Sequence, residues 1–318
     1  MKPMMIINEK DYIKNLYDND ILIEDYPKIT LDLLAIYLWD ELGYNKERIA
    51  EELQRFIRDR YPDYNKNKSF WDSYAEKAAK AQEKNANGKN PKGVRIRLLE
   101  CAGIPITKSE LETIETLPDK MDDVDTNTAK SFQRLLFTIL VVGKWQRMKD
   151  ESNRDGYTNI KDNTLFDLSR VTARENDRDY ILNALSKAGY VAFPFSKKRV
   201  NVRPTFIDDS SEVVQLITDL REIGWQWNQI NGEHYRRCIN CGLLLSPRVK
   251  LQRCMCKDCE ENNLIEYVRC EDCDCLFMRL RTTPTRTRCI SCQHKRNQQK
   301  KNESKKRTKK VQEKNAIY

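Results

Sequence analysis

Cys238-Ile239-Asn240-Cys241, Cys256-Lys257-Asp258-Cys259, Cys270-Glu271-Asp272-Cys273 and Cys289-Ile290-Ser291-Cys292 hold eight of the eleven cysteines, and their spacing decides how the C-terminal third folds. Two thiolates separated by two residues converge from one tight turn, and two such turns close a tetrahedral metal site. Fourteen residues separate the first two pairs and fifteen the last two. The segment therefore predicts one site from Cys238, Cys241, Cys256 and Cys259 and a second from Cys270, Cys273, Cys289 and Cys292. Four thiolates leave no open position for water or substrate, so each site is structural and the expected cofactor is zinc, two ions in all. Cys254 and Cys275 lie two residues from an assigned ligand, and His234 and His294 flank the pairs, so each is an alternative ligand. Cys101, alone far upstream, reads as a small buried apolar residue.

The two units also read as an internal repeat. Arg237-Cys238-x-x-Cys241 matches Arg269-Cys270-x-x-Cys273 at an offset of 32 residues, the second pairs match at 33, and Leu245 corresponds to Phe277. The stretch over about residues 236–293 resembles tandem zinc-ribbon or treble-clef modules, with module 1 at 238–260 and module 2 at 268–294.

The formal charge of the 318-residue chain is +9. Ten Lys or Arg against two Glu between Lys295 and Tyr318 give that end +8, leaving +1 for everything before it. Lys305, Lys306, Arg307, Lys309 and Lys310 are its densest run and are candidate phosphate contacts. The segment 295–318 has almost no apolar content and is expected to be a disordered basic tail. The longest apolar run, around Leu135 to Val142, is far shorter than the roughly 18–20 residues that span a bilayer. The N-terminus carries no secretory pattern, so the expectation is a cytoplasmic protein without a membrane partner, inside a bacterial host cell. In such a reducing compartment clustered thiols bind metal rather than each other.

Upstream, apolar periodicity predicts a mainly α chain. Residues 1–90 read as a helical domain. Thr30 precedes Leu31, Leu33, Leu34, Ile36 and Leu38, ending at Gly43. Asn45 then caps a helix carrying Ile49, Leu53, Phe56 and Ile57. A third helix runs from Ser69 and Asp72, read as a capping box, to about Asn85. Residues 91–128 read as a linker with a short strand at Val94–Leu98 and a helix opened by the box Thr107-Lys108-Ser109-Glu110. Its acidic stretch from Pro118 to Asp125 is a solvated connector. In 129–210 come a long helix through Phe132 and Trp145, a short one at Thr164–Arg170, and a third from the box Thr172-Ala173-Arg174-Glu175 to Gly189. Two strand-like segments follow around Ser196-Lys197-Lys198-Arg199. This order resembles a winged helix-turn-helix domain. Residues 211–237 read as a helix and a β-hairpin, with Trp225 and Trp227 alternating before the turn signal Asn231-Gly232.

A winged helix reads DNA with the solvent face of its third helix. That face here offers Asn183 for adenine and Lys187 for phosphate or guanine, but also Asp179 and Glu175, which repel the backbone. Lys197, Lys198, Arg199 and Arg203 on the wing suit phosphates or a minor groove. Ile104 to Glu112, the helix from Phe132, Glu212 to Ile217 and the Cys-rich end together resemble uncharacterised proteins of phages and mobile elements of low-GC Gram-positive bacteria. Leu33-Leu34-Ala35 and Gly43-Tyr44 are similar to helical modules attached to mobile-element primases, although no primase catalytic motif accompanies them. The sequence has no phosphate-binding glycine loop and no HExxH, and only two His, so the expectation is a non-enzyme. A nuclease built on scattered Asp and Glu stays open. The expected function is zinc-stabilised nucleic-acid binding, to DNA first and RNA second, in transcription or replication of a mobile element. The alternative is an adaptor or inhibitor that binds a host protein through the winged-helix and zinc modules.

Overall fold

Leu135 to Val142 are all fully buried in the middle of one helix, and a helix apolar on every side at its centre is a hub rather than a surface element. The computed structural model describes residues 6–19, 23, 26–87, 97–120, 125–150, 152–194, 201–247, 254–281 and 285–315. In chain order these form α1 (Glu9–Asp18), α2 (Pro27–Asp40), α3 (Lys46–Arg60), α4 (Lys68–Ala86), β1 (Ile104–Thr107) and α5 (Lys108–Glu115). The central helix α6 (Thr126–Lys149) is followed by α7 (Asp162–Ser169), α8 (Glu175–Lys187), β2 (Val191–Ala192), β3 (Arg203–Pro204), β4 (Val213–Ile217) and α9 (Ile223–Ile230). The cysteine-rich end supplies α10 (Lys257–Leu264), β5 (Ile265–Arg269), β6 (Leu276–Leu280) and α11 (Ile290–Asn315). The protein is mainly helical, with three separate two-stranded antiparallel ladders among the described residues.

The chain divides into two compact units, Met1–Lys14 with Arg97–Cys256 and Asn15–Ile96 with Lys257–Tyr318. In the second, α3 packs on α4 and α2 packs on both. Leu31, Leu34, Leu38, Ile49, Leu53, Phe56, Trp71 and Ala75 fill their interface. The Asn45 side chain accepts the Arg48 N–H and starts α3, while Gly43 takes the left-handed conformation just past α2. Helix α4 starts one residue earlier than Ser69, at Lys68, without a side-chain cap. Asp72 instead accepts the Tyr64 hydroxyl at 2.8 Å, so the expected box does not form.

In the first unit α6 packs against α5, α7, α9, β1 and β3. Ile104, Ile106, Ile114 and Leu117 are fully buried in the core built on α6. This part of the 91–128 stretch is therefore core and not linker. Of the strand expected at Val94–Leu98, residues 94–96 lie outside the described residues and Arg97 and Leu98 form no strand. The strand is β1, which pairs with β4, Ile104 opposite Ile217. Residues 213–217 are thus a strand where a helix was expected, because β-branched Val213, Val214 and Ile217 find a partner more than a hundred residues upstream. The hairpin expected around Trp225 and Trp227 is the helix α9. Asn231-Gly232 ends it, with Gly232 left-handed, instead of turning a hairpin. Trp227 is buried against Phe137, ring centroids 5.3 Å apart. At Gly224 the backbone passes so close to the end of α7 that a Cβ would lie 1.9 Å from the Ser169 carbonyl oxygen. Only glycine fits there.

The box at Thr107-Glu110 forms, with Glu110 accepting the Thr107 N–H at 2.9 Å. The same fully buried carboxylate accepts the Lys144 ammonium at 2.7 and 3.0 Å and the Asp208 N–H at 3.1 Å. Lys144 is itself 4% exposed and also reaches Asp209 at 3.2 Å. The Thr172 box does not form, since Arg174 is the N-cap of α8 and offers no side-chain bond. Leu182 and Leu185 are the buried core of α8, with Ile181 and Ala184 at its margin.

Removing one partner of a buried ion pair strands a charge, at a cost of about 3–5 kcal/mol. Lys144→Met should lose about that much in urea unfolding. The double variant Lys144→Met/Glu110→Gln should recover part of the loss, because a neutral Gln still serves the capping box.

Candidate metal centres

Each CxxC turn is set by backbone bonds that recur between the two modules. The Cys238 N–H donates to the Leu243 carbonyl at 2.8 Å and the Cys270 N–H to the Cys275 carbonyl at 2.9 Å. Gly242 N–H returns to the Cys238 carbonyl, and Asp274 N–H to the Cys270 carbonyl, both at 2.9 Å. Gly242 and Asp274 are left-handed, and the carbonyl of each accepts an arginine, Arg237 or Arg269, at 3.2 Å. Arg237 pairs with Leu244 as Arg269 pairs with Leu276. Every one of these pairs is related by the same 32-residue offset that the sequence repeat shows.

The second pair arrives on a helix in both modules. Ile239 N–H donates to the Cys254 carbonyl at 3.1 Å and Glu271 N–H to the Thr287 carbonyl at 3.2 Å. Helix α10 begins one residue after Cys256, and α11 one residue after Cys289. Leu245 and Phe277 are buried at equivalent places. In α11 the Cys289 sulfur accepts the Cys292 N–H at 3.5 Å, and its carbonyl accepts the Gln293 N–H at 2.9 Å.

Cys238, Cys241, Cys256 and Cys259 form one group, and Cys270, Cys273, Cys289 and Cys292 another, with all sulfurs of a group within 4.8 Å of one another. Cys241 and Cys256 are 3.7 Å apart, and Cys273 and Cys289 3.8 Å. Metal–sulfur bonds of about 2.3 Å in a tetrahedron put neighbouring sulfurs about 3.8 Å apart. The residues therefore fit a four-thiolate metal ion in each module. Cys254 is exposed, and neither it, His234, His294 nor Cys275 belongs to a group among the described residues. Cys275 sits nearest, 3.3 Å from Cys273.

The electrostatics follow from the crowding. Burial raises the Cys238 thiol, but backbone N–H groups of Cys256, Cys241 and Asn240 outweigh it and hold the thiol down at about 6. Cys270 is likewise held at about 6, against burial, by the N–H groups of Cys289, Asp272 and Cys273. Hydrogen bonds to Cys273 and Cys289, with burial, push Cys292 up to about 12. Cys238 and Cys270 are thus the readiest thiols of the two groups to ionise, and a bound cation would favour the thiolate form.

The nucleic-acid candidates are scattered by comparison. Asn183 and Lys187 are exposed on α8 beside exposed Asp179. Arg203 lies in β3 with its guanidinium 5.9 Å from the Tyr157 ring centre and its Nε buried without a partner, so it turns inward. Lys197, Lys198 and Arg199 lie outside the described residues. Lys305, Lys306, Arg307, Lys309 and Lys310 fall on α11, which runs to Asn315. The expected disordered tail is a helix up to that residue, because the Cys289–Cys292 turn supplies its first turn. Sequence reasoning missed that link, although the signal was present in Cys292 directly preceding the basic run.

Comparison with family models, with curated proteins and with solved structures returns no match. The site therefore rests on its own geometry.

Protons compete with metal for thiolates. Zinc release into a colorimetric chelator should rise as pH falls, as the ligand thiolates take up protons. Helicity contributed by α2–α4 and α6 should survive that release, as read by circular dichroism.

Proposed function

We propose that this protein is a zinc-stabilised nucleic-acid-binding protein acting in transcription or replication of a phage or mobile element. The observation that carries the reading is the juxtaposition of a four-thiol group with the chain's main concentration of positive charge. Cys292 and the cations from Lys295 onward share one helix. Zinc is the ion favoured by four sulfur donors at tetrahedral spacing. The closed donor set assigns it a folding role and no catalytic one. The placement of each second cysteine pair at a helix start favours treble-clef modules over zinc ribbons. The order α6, α7, α8, β2, β3 supports a winged-helix arrangement, with Lys197, Lys198 and Arg199 as wing contacts and Asn183 and Lys187 on the third helix. The mobile-element setting rests on the sequence resemblance alone.

A second reading, an adaptor or inhibitor of a host protein, draws on a different observation. The outward face of α8 is not basic and carries Tyr180 at 74% exposure, and β4 exposes Val213, Val214 and Leu216. Such surfaces suit protein contacts better than phosphates.

Each phosphate contact steepens the salt dependence of duplex binding by about 0.9 in log K per log salt. Removal of residues 295–318 should flatten that slope by several such steps in fluorescence anisotropy, and an unchanged slope would contradict a role for the basic end. Tight capture of one host protein without nucleic-acid affinity would favour the second reading.

A further inference from the structure

Residues 293–304 of α11 are exposed on every side, and over its full 26 residues the helix has little apolar character with which to dock on protein. At about 1.5 Å per residue it is about 39 Å long. Its many Lys, Arg and Gln favour a helix one by one, but the pattern of its charges opposes one. Arg296 and Lys300, Lys301 and Lys305, Lys305 and Lys309, Lys306 and Lys310, and Lys310 and Lys314 are like-charge pairs four residues apart, and each weakens an isolated helix by a few tenths of a kcal/mol. Asn297, Asn302, Ser304 and Thr308 are weak helix formers besides. Starting a helix is also costly without a template.

Two things offset this. The first is the Cys289–Cys292 turn, whose sulfur and carbonyl already hold the N–H groups of Cys292 and Gln293 in the first helical turn. A divalent ion on four thiolates leaves net negative charge at that end, which suits the helix dipole. The second is a polyanion, which would cancel the repulsion along the rest. At about 100° per residue, Asn297, Ser304, Thr308, Val311 and Asn315 share one uncharged strip, and the ten cations take the remaining circumference.

Resting on the nucleic-acid reading above, we propose that α11 binds duplex DNA as a single continuous helix in the major groove, started by the second cysteine group and held helical by the phosphates on either side. Charge complementarity names the partner class, and shape names the member of it. The major groove of B-form DNA, about 12 Å wide, admits a helix, whereas that of A-form RNA is too deep and narrow. Cations around most of the helix meet both groove walls, and the uncharged strip faces out.

The test uses the full-length zinc-loaded protein and three labelled probes of one sequence: duplex DNA, its single strand and the duplex RNA. Gln299→Pro keeps every charge and every cysteine but breaks the helix beyond the metal site, and Gln299→Ala is its control. The proposal expects preference for duplex DNA. It also expects at least about tenfold weaker duplex affinity for Gln299→Pro, lower helicity with unchanged zinc content, and wild-type behaviour for Gln299→Ala. Equal affinity of Gln299→Pro and wild type for duplex DNA would overturn it while leaving the broader nucleic-acid reading standing, since charge alone would then suffice. Equal or tighter binding of the single strand or of duplex RNA would overturn the choice of partner. Binding to none of the three probes would remove both.

Discussion

In each cysteine group four sulfurs lie within 4.8 Å of one another, and four thiolates crowded so closely repel strongly unless a cation sits among them. The C-terminal part depends on resolving that crowding. It has little else: among its described side chains only Leu244, Leu245, Phe277 and the cysteines Cys238, Cys259 and Cys270 are buried, far too little apolar area to fold a segment of this length. A metal ion on each group would supply cohesion in place of a hydrophobic core. It would also anchor the turn that leads into β5 and β6 and the start of α11.

The repeat shows how the same device yields different outcomes. Both modules share the turn, the left-handed residue after it, the arginine that donates to that residue's carbonyl and the helix that brings the second pair. After eight residues α10 gives way to β5, whose pairing with β6 builds the next module. Helix α11 is followed by no such strand among the described residues and continues for 26 residues. One duplicated unit thus serves as a spacer in the first copy and as a base for a charged helix in the second.

The cysteine sites, the Asn45 cap and the Thr107-Glu110 box were legible in the sequence because each depends on residues a few positions apart. The pairing of β1 with β4 was not, since neither Ile104-Pro105-Ile106-Thr107 nor Val213-Val214-Gln215-Leu216-Ile217 shows which distant strand it joins. Helix α9 was hidden by the spacing of Trp225 and Trp227, which alternates like a strand, while burial of Trp227 against Phe137 decided for the helix. Glu110 was legible only as part of its capping box and Lys144 carried no signal, yet the two form a buried pair in which each offsets the other's desolvation. Helix α11 failed on local grounds, its charges arguing against a helix that the cysteine turn begins. The basic charge that first marked the chain is therefore a property of one helix rather than of its folded body.

Zinc K-edge X-ray absorption on the full-length protein, with metal content measured on the same sample, tests the central claim most directly. The account predicts two zinc ions per chain, each with four sulfur neighbours at about 2.3 Å and no nitrogen or oxygen. A metal-free folded protein, or cysteines paired as disulfides with the C-terminal helix intact, would contradict it.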